Sequence, residues 1–224
     1  MTHFSDPLRS GDAYYGAANK DRGYQRSELL AVEFGAVVAV TATGVCVAAT
    51  TTGAGALSAT GSLVTAGVAT FDVPRTVSIT ATTNVSSNTF TVTGTDAYGQ
   101  TMSEKITGPN ATTVNGAKAF KTVTSVTATG VVTAISAGTS AILGLPVRVG
   151  DKGKVLELVV DGISETSLTT VVGLSTTGVS TATTADVRGT LLGGTAPDGT
   201  KRFTTLLIVG DPNTSSGLYG VAQA

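Results

Sequence analysis

Residue types able to carry a reaction are scarce in this 224-residue chain, and their spacing narrows the choice further. The single histidine, His3, lies in the polar opening segment, so no Ser-His-Asp relay, paired-histidine metal site or HExxH helix can be built on a rigid scaffold. The single cysteine, Cys46, sits in "TGVCVAAT" among small apolar residues. That is the setting of a buried structural thiol, not of an activated nucleophile, and one cysteine excludes an intrachain disulfide or a cysteine-based zinc site. No G-x-S-x-G elbow and no G-x-x-x-x-G-K-[ST] loop occurs; "GDKGK" from Gly150 has the wrong spacing and reads as a β-turn. Glu157 and Glu165 flank the Asp161-Gly162 turn, where cross-strand carboxylates could face each other as in a glycosidase, but two solvated strand residues are the simpler reading. Asp96, Asp151 and Asp161 lack the spacing of a calcium loop and are common turn residues. We therefore expect no catalytic, cofactor-binding or metal-binding residues, and no enzyme.

Composition points the same way. Lys and Arg number 14 against 15 Asp and Glu, a formal charge of -1, so there is no basic field for phosphate and nucleic acid is not an expected partner. Only 13% of residues are charged, about half the usual share, while 28 are Gly and 41 are Thr. A surface so poor in charge suggests that other molecules cover much of it. Aromatics make up 5% and Trp is missing, which argues against a sugar-stacking platform or a base-stacking groove. The opening residues lack an apolar core of signal-peptide type, so we expect no classical secretion. The most apolar run, "GAVVAVTATGVCVAAT", is interrupted by Thr41 and Thr43 and falls short of the roughly 20 residues of a membrane helix, so no membrane span is expected.

The elements that would position any site are read from periodicity. Residues 1–34 are polar and Gly-punctuated and are expected to form an extended N-terminal arm, with "RSELLAVEF" able to make a helical turn capped by Ser27. Tyr14, Tyr15, Tyr24 and Phe34 gather in or beside this arm and are the candidate assembly contacts, because aromatics anchor well in another protein's pockets. From Gly35 to Phe71 no charged residue precedes Asp72, and the Val, Ala, Thr and Ser run reads as strands of either a sandwich core or an intersubunit face. Val77, Ile79 and Ala81 then share one strand face, as do Phe90, Val92 and Gly94. "TDAYGQT" reads as a hairpin turn, and "SEKITGPN" as a further strand ended by Gly108-Pro109. Asp161-Gly162 is the strongest hairpin signal, and Asp198-Gly199 repeats it between "DVRGTLL" and "KRFTTLLIVG". The pentapeptide shared by "VTATGVCVAA" and "VTATGVVTAI" establishes no solenoid period. The expected fold class is all-β: an antiparallel β-sandwich of jelly-roll or Ig-like modules behind the arm. Its parts are the arm at 1–34, a β-sandwich region at 35–150 with an Ig-like module at about 71–130, and C-terminal strands at 151–224 that can complete the same sandwich. Long charge-free runs also predict a homo-oligomer, a trimer or dimer.

The stretch "VTGTDAYGQTMSEKITGPNATTVNGAKAFKTVTSV" resembles a β module of structural proteins in tailed bacteriophage virions: a G-T-D-x-x-G turn, an acidic-basic strand, a G-P-N corner, then K-A-F-K-x-V-x-S-V. The later segments "LGLPVRVGDKGKVLEL" and "PDGTKRFTTLLIVGDPNTSSGLYGVAQA" are similar to the ends of phage head proteins of comparable length. The resemblance implies a virion structural protein, most specifically a capsid decoration, or cement, protein that binds across major capsid protein subunits on the capsid surface after synthesis in the host cytoplasm. A tail-tube or head-tail connector component is the alternative it leaves, and a virion-associated glycan-binding or glycosidase module a more remote one.

Overall fold

A computed structural model describes residues 27–149, 152–171 and 186–210. Every strand pair among them is antiparallel, and the only helical element is a 3-10 turn at Lys152–Lys154. The fold is all-β and sandwich-like, as the period-2 runs predict.

Among the described residues fourteen strands form two sheets. The smaller holds β1 (Ser27–Ala36), β14 (Arg202–Gly210), β10 (Val155–Val160) and β11 (Ile163–Ser164), in that order. The larger runs β12 (Leu168–Val171), β13 (Thr190–Gly193), β9 (Val132–Gly144), β5 (Val68–Thr80), β8 (Thr113–Ala128), β6 (Thr89–Thr95), β7 (Thr101–Thr107). Three short strands attach to it: β2 (Cys46–Thr51) on β9, β3 (Gly55–Ala56) on β8 and β4 (Val64–Thr65) on β5.

Strand alternation decides which residues are buried. In β6, Phe90, Val92 and Gly94 face inward while Thr residues alternate outward, and Val77, Ile79 and Ala81 share the same interior. These residues join Phe71, Met102, Ile106 and Phe120 in one apolar core inside the curl of the larger sheet. A second core lies between the sheets, where Phe203, Leu207, Leu158 and Val160 of the smaller meet Leu143 and Leu191 of the larger. Each large side chain so buried contributes about 1.5–3 kcal/mol. Between the two cores β5 and β9 carry buried polar residues, with the Thr76 and Ser140 hydroxyls 2.6 Å apart and the Ser78 hydroxyl donating to the Thr139 carbonyl at 3.2 Å. The long strands bend through breaks in register, one of them between Thr70 and Arg75 in β5. Pro74 sits in that break, where its missing N–H withholds nothing from a ladder.

Two expectations are corrected. "RSELLAVEF" forms no helical turn capped by Ser27; β1 begins at Ser27 and pairs with β14 over its whole length, so Leu30, Val32 and Phe34 lie at strand spacing against the second core. A single exposed helical turn would satisfy few backbone groups, whereas the ladder with β14 satisfies them in series. Asp161-Gly162 does close a two-residue hairpin, Val160 paired with Ile163, with both turn residues at positive φ. Asp198-Gly199 does not. The strands on either side belong to different sheets, β13 pairing with β9 and β12, and β14 with β1 and β10. The Gly199 N–H goes to the Val37 carbonyl at 2.8 Å, while the Asp198 carboxylate accepts from the Thr200 and Lys201 N–H groups, both at 2.9 Å. That loop carries the chain from one sheet to the other.

Candidate functional site

The polar chemistry of the described residues is concentrated in one buried cluster beside the β6–β7 turn. Asp96, first residue of that turn, accepts from the Tyr98 N–H at 2.8 Å and the Gln100 N–H at 2.9 Å through Oδ1. Its Oδ2 takes the Arg188 Nη1 at 2.8 Å, an ion pair buried on both sides. Arg188 follows Asp186, whose Oδ2 accepts from the Ala119 N–H of β8 at 3.0 Å and whose Oδ1 accepts from the Arg188 N–H at 2.9 Å. The Tyr98 ring lies 5.4 Å from the guanidinium centre, and its hydroxyl donates to the Pro146 carbonyl at 2.6 Å. One turn, one long strand and the segment before β13 are thereby pinned together.

Glu104 and Lys118 extend the cluster by a reciprocal exchange. Glu104, on β7, accepts from the Ala117 and Lys118 N–H groups of β8, at 2.5 and 3.3 Å. Lys118 returns the contact, its Nζ donating to the Ser103 carbonyl at 3.0 Å. These side chains replace the ladder that β7 and β8 cannot form directly, because β6 stands between them. Gly116 makes the approach possible, since a Cβ there would lie 2.4 Å from Glu104 Oε2. Three carboxylates, of Asp96, Glu104 and Asp186, thus share the interior with two cations, Lys118 and Arg188. Burial pushes the Glu104 carboxyl up to about 7, against the two backbone N–H groups and Lys118, which favour its charge. Burial likewise lowers Lys118, against the attraction of Glu104 and Asp186. None of these five charged side chains is more than 2% exposed, so the charges are shielded from solvent and fit a structural joint.

A second joint lies on β5, beside its register break. Arg75 donates through Nη2 to the Val38 carbonyl, and its Nε stands 3.4 Å from Asp72 Oδ1, close enough for attraction but not aligned as a hydrogen bond. Asp72 Oδ2 accepts from the Val38 N–H at 2.8 Å, so this pair grips the loop that follows β1.

The sequence-derived candidates fall as follows. Tyr14, Tyr15 and Tyr24 lie outside the described residues, as does Asp151. Phe34 sits half-buried on the inner face of β1, against the chain's own second core. Cys46 is buried, and burial pushes its thiol up to about 11. Glu157 and Glu165 are not brought face to face. Glu165 N–H donates to the Leu158 carbonyl at 2.8 Å, which sets Glu165 opposite Leu158 and leaves Glu157 on the alternate pleat. The Glu165 carboxylate instead accepts from the Thr195 N–H at 3.1 Å and from the Thr195 hydroxyl, which holds it below the usual range. Asp161, in its hairpin turn, accepts from the Arg202 N–H of β14 at 2.9 Å. No group of three or more His, Cys, Asp or Glu is placed to hold a metal ion among the described residues. Nor is any helix among them long and apolar enough to cross a membrane.

Sequence reasoning did not find Glu104, Lys118, Asp186 and Arg188 as a unit. The available signal was the alternation Met102, Glu104, Ile106, which turns a carboxylate inward on a strand. With the chemistry drawn inside, the surface is left apolar in several places: Leu29, Val38, Val40, Val47, Val131, Leu156 and Ile163 are all exposed, Ile163 by 74%. Val38, Val40 and Val47 come from the charge-free run after Gly35, which therefore lies only partly within the core. The class defined by fold and site is an antiparallel β protein with a buried ionic joint and, among the described residues, several large apolar side chains exposed. Comparison of the chain with family models, with curated proteins and with solved structures finds no match in any of the three.

Proposed function

We propose that the chain is a structural virion protein of a tailed bacteriophage, acting as a capsid decoration protein that binds across major capsid protein subunits and stabilises the head. One observation carries the reading: six charged side chains, of Arg75, Asp96, Glu104, Lys118, Asp186 and Arg188, are buried, while large apolar side chains stand exposed in their place. An exterior of this kind loses free energy in water and recovers it when another protein covers it. The stretch from Val92 to Val126, on which the resemblance to a phage virion module rests, falls on β6, β7 and β8. A decoration protein working by repetition needs no single strong contact, because many copies on one shell multiply modest interfaces. The partners in this reading are the major capsid protein and other copies of the chain, in a dimer or trimer.

The test is to mix the purified protein with heads that lack it and to locate it on the particle. Binding to the head surface in many copies, with improved resistance of the head to heat or chelation, is expected. Failure to co-sediment with heads would overturn the proposal, and a few copies at the tail or a helical stack would favour a tail-tube or connector role.

A further inference from the structure

We infer that β1 is a self-pairing edge, joining two copies of the chain antiparallel across a two-fold axis at Leu30 so that their smaller sheets become one continuous sheet. The inference deepens the assembly reading by naming where copies meet, and rests on that reading only for the statement that they do. An edge strand presents a row of backbone N–H and C=O groups that only another strand matches, and proteins blunt such edges with short strands, inward charges, lysines or prolines.

The edges of the two sheets differ in these terms. β11 has two residues and β12 four, too short to template a partner. β7 is longer but turns Glu104 inward and Lys105 outward, both blunting devices. β1 has ten residues without Lys, Arg or Pro; its two charges, Glu28 and Glu33, lie on either side of the apolar stretch Leu29–Val32, and its ladder with β14 shifts register only at Glu33/Gly35. Among the described residues β14 is its one strand neighbour. Its outward positions include Leu29, 66% exposed, and Ala31, which lie beside half-buried Ile208 and Leu206 of β14.

The register follows from the strand's own sequence. Directly opposed residues in an antiparallel pair share a face, so the two-fold axis must fall on a residue. With the axis at Leu30, Leu29 opposes Ala31 of the second copy, Glu28 opposes Val32 and Ser27 opposes Glu33. No carboxylate then meets another. The outward face acquires unbroken apolar rows, Leu206, Ala31, then Leu29 and Ile208 of the second copy, repeated by symmetry. An axis at Ala31 would set Leu29 against Glu33 and interrupt both rows. Such an interface is isologous and closes at two copies.

The experiment uses the full chain in solution. Sedimentation equilibrium should show a dimer, and Ala31→Lys, on an exposed position, should weaken it by at least about tenfold by placing cations on the paired face, with an unchanged circular dichroism spectrum. A mixture of Leu29→Cys chains with Ala31→Cys chains should form a disulfide under mild oxidation, whereas Ala31→Cys alone, whose two copies lie on the diagonal beyond disulfide reach, should not; buried Cys46 gives little background. A monomer at all concentrations up to about 100 μM, well above the dissociation constant of a specific dimer, would overturn the inference. So would a dimer that tolerates Ala31→Lys and yields no mixed cross-link. Head binding is scored separately: unmodified chains that dimerise through β1 but never attach to heads would defeat the decoration reading and leave this interface standing.

Discussion

Glu104→Gln should remove a pH dependence that one buried carboxyl imposes on the whole fold. Burial pushes that carboxyl from its ordinary 4.5 up to about 7. A carboxyl raised in the folded state stabilises the fold fully below about 4.5, and that contribution is lost as the pH rises through about 7. At about 1.4 kcal/mol per pH unit the difference amounts to about 3 kcal/mol, so the native chain should lose stability of that order between about pH 5 and pH 8. Gln cannot ionise. Its amide oxygen can still accept from the Ala117 N–H, while the weaker 3.3 Å bond from Lys118 N–H is lost, a pH-independent cost of about 1 kcal/mol. Lys118 and Asp186 face the same carboxyl, and Lys118 also loses its counter-charge, so the measured quantity is the difference in slope between the two proteins over this window. Urea titrations followed by circular dichroism at several pH values give that difference directly. Melting curves should show it as about 6–12 °C, at about 2–4 °C per kcal/mol for a chain of this size. Parallel pH profiles for the two proteins would refute the reasoning, because the carboxyl would then not be held near neutrality by burial.

Arg188→Met should destabilise the fold by about 3–5 kcal/mol in urea denaturation, since it leaves the Asp96 and Asp186 carboxylates buried without their cation; adding Asp96→Asn should recover part of the loss, and strictly additive losses would contradict the pairing. Deleting residues 1–26, which stops short of β1, should leave the melting temperature within a few degrees and weaken attachment to heads, the effect expected if Tyr14, Tyr15 and Tyr24 anchor on a neighbour. Head binding as tight as that of the full chain would dismiss these tyrosines as contacts.

Local chemistry was legible in the sequence wherever it was decided locally. Thr alternating with Phe90 and Val92 describes a half-buried strand, and Asp161-Gly162 adopts the two-residue turn at positive φ that its dipeptide favours, with Arg202 of β14 bonding to it from outside. Asp198-Gly199 carries the same dipeptide but a different outcome, because the Val37 carbonyl, far away in the chain, claims the Gly199 N–H. The spacing of Leu29, Leu30 and Phe34 suits a helical turn as well as a strand, and only the pairing with β14 at the other end of the chain decides between them. The ionic joint was hidden for a related reason. An inward Glu104 follows from period two, but its meeting with Lys118 depends on the larger sheet curling so that β7 approaches β8 across β6. The Asp96–Arg188 pair, 92 residues apart in sequence, has no local signature at all.

The joint is better explained by register than by stability. A buried ion pair gives little net stabilisation over apolar residues of the same volume, since desolvation offsets most of the attraction. The surrounding strands, however, are built from Val, Ala, Thr and Gly, side chains so similar in size that sliding a strand by two residues would change the packing little. Glu104 makes such a slip costly: only one register sets its carboxylate against the Ala117 and Lys118 N–H groups with Gly116 leaving the space, and only that register brings the Lys118 Nζ to the Ser103 carbonyl. Asp96 and Arg188 fix the turn at the end of the same hairpin. The Arg188→Met variant separates the two roles. Loss of stability alone would weaken amide protection evenly across the larger sheet, whereas loss of register would appear first in β7 and β8, as additional amide resonances and faster exchange while β5 and β9 stay protected. Under the proposed assembly, holding those strands in one register would keep the exposed apolar side chains in a fixed arrangement, even where the charges that hold them add little to overall stability.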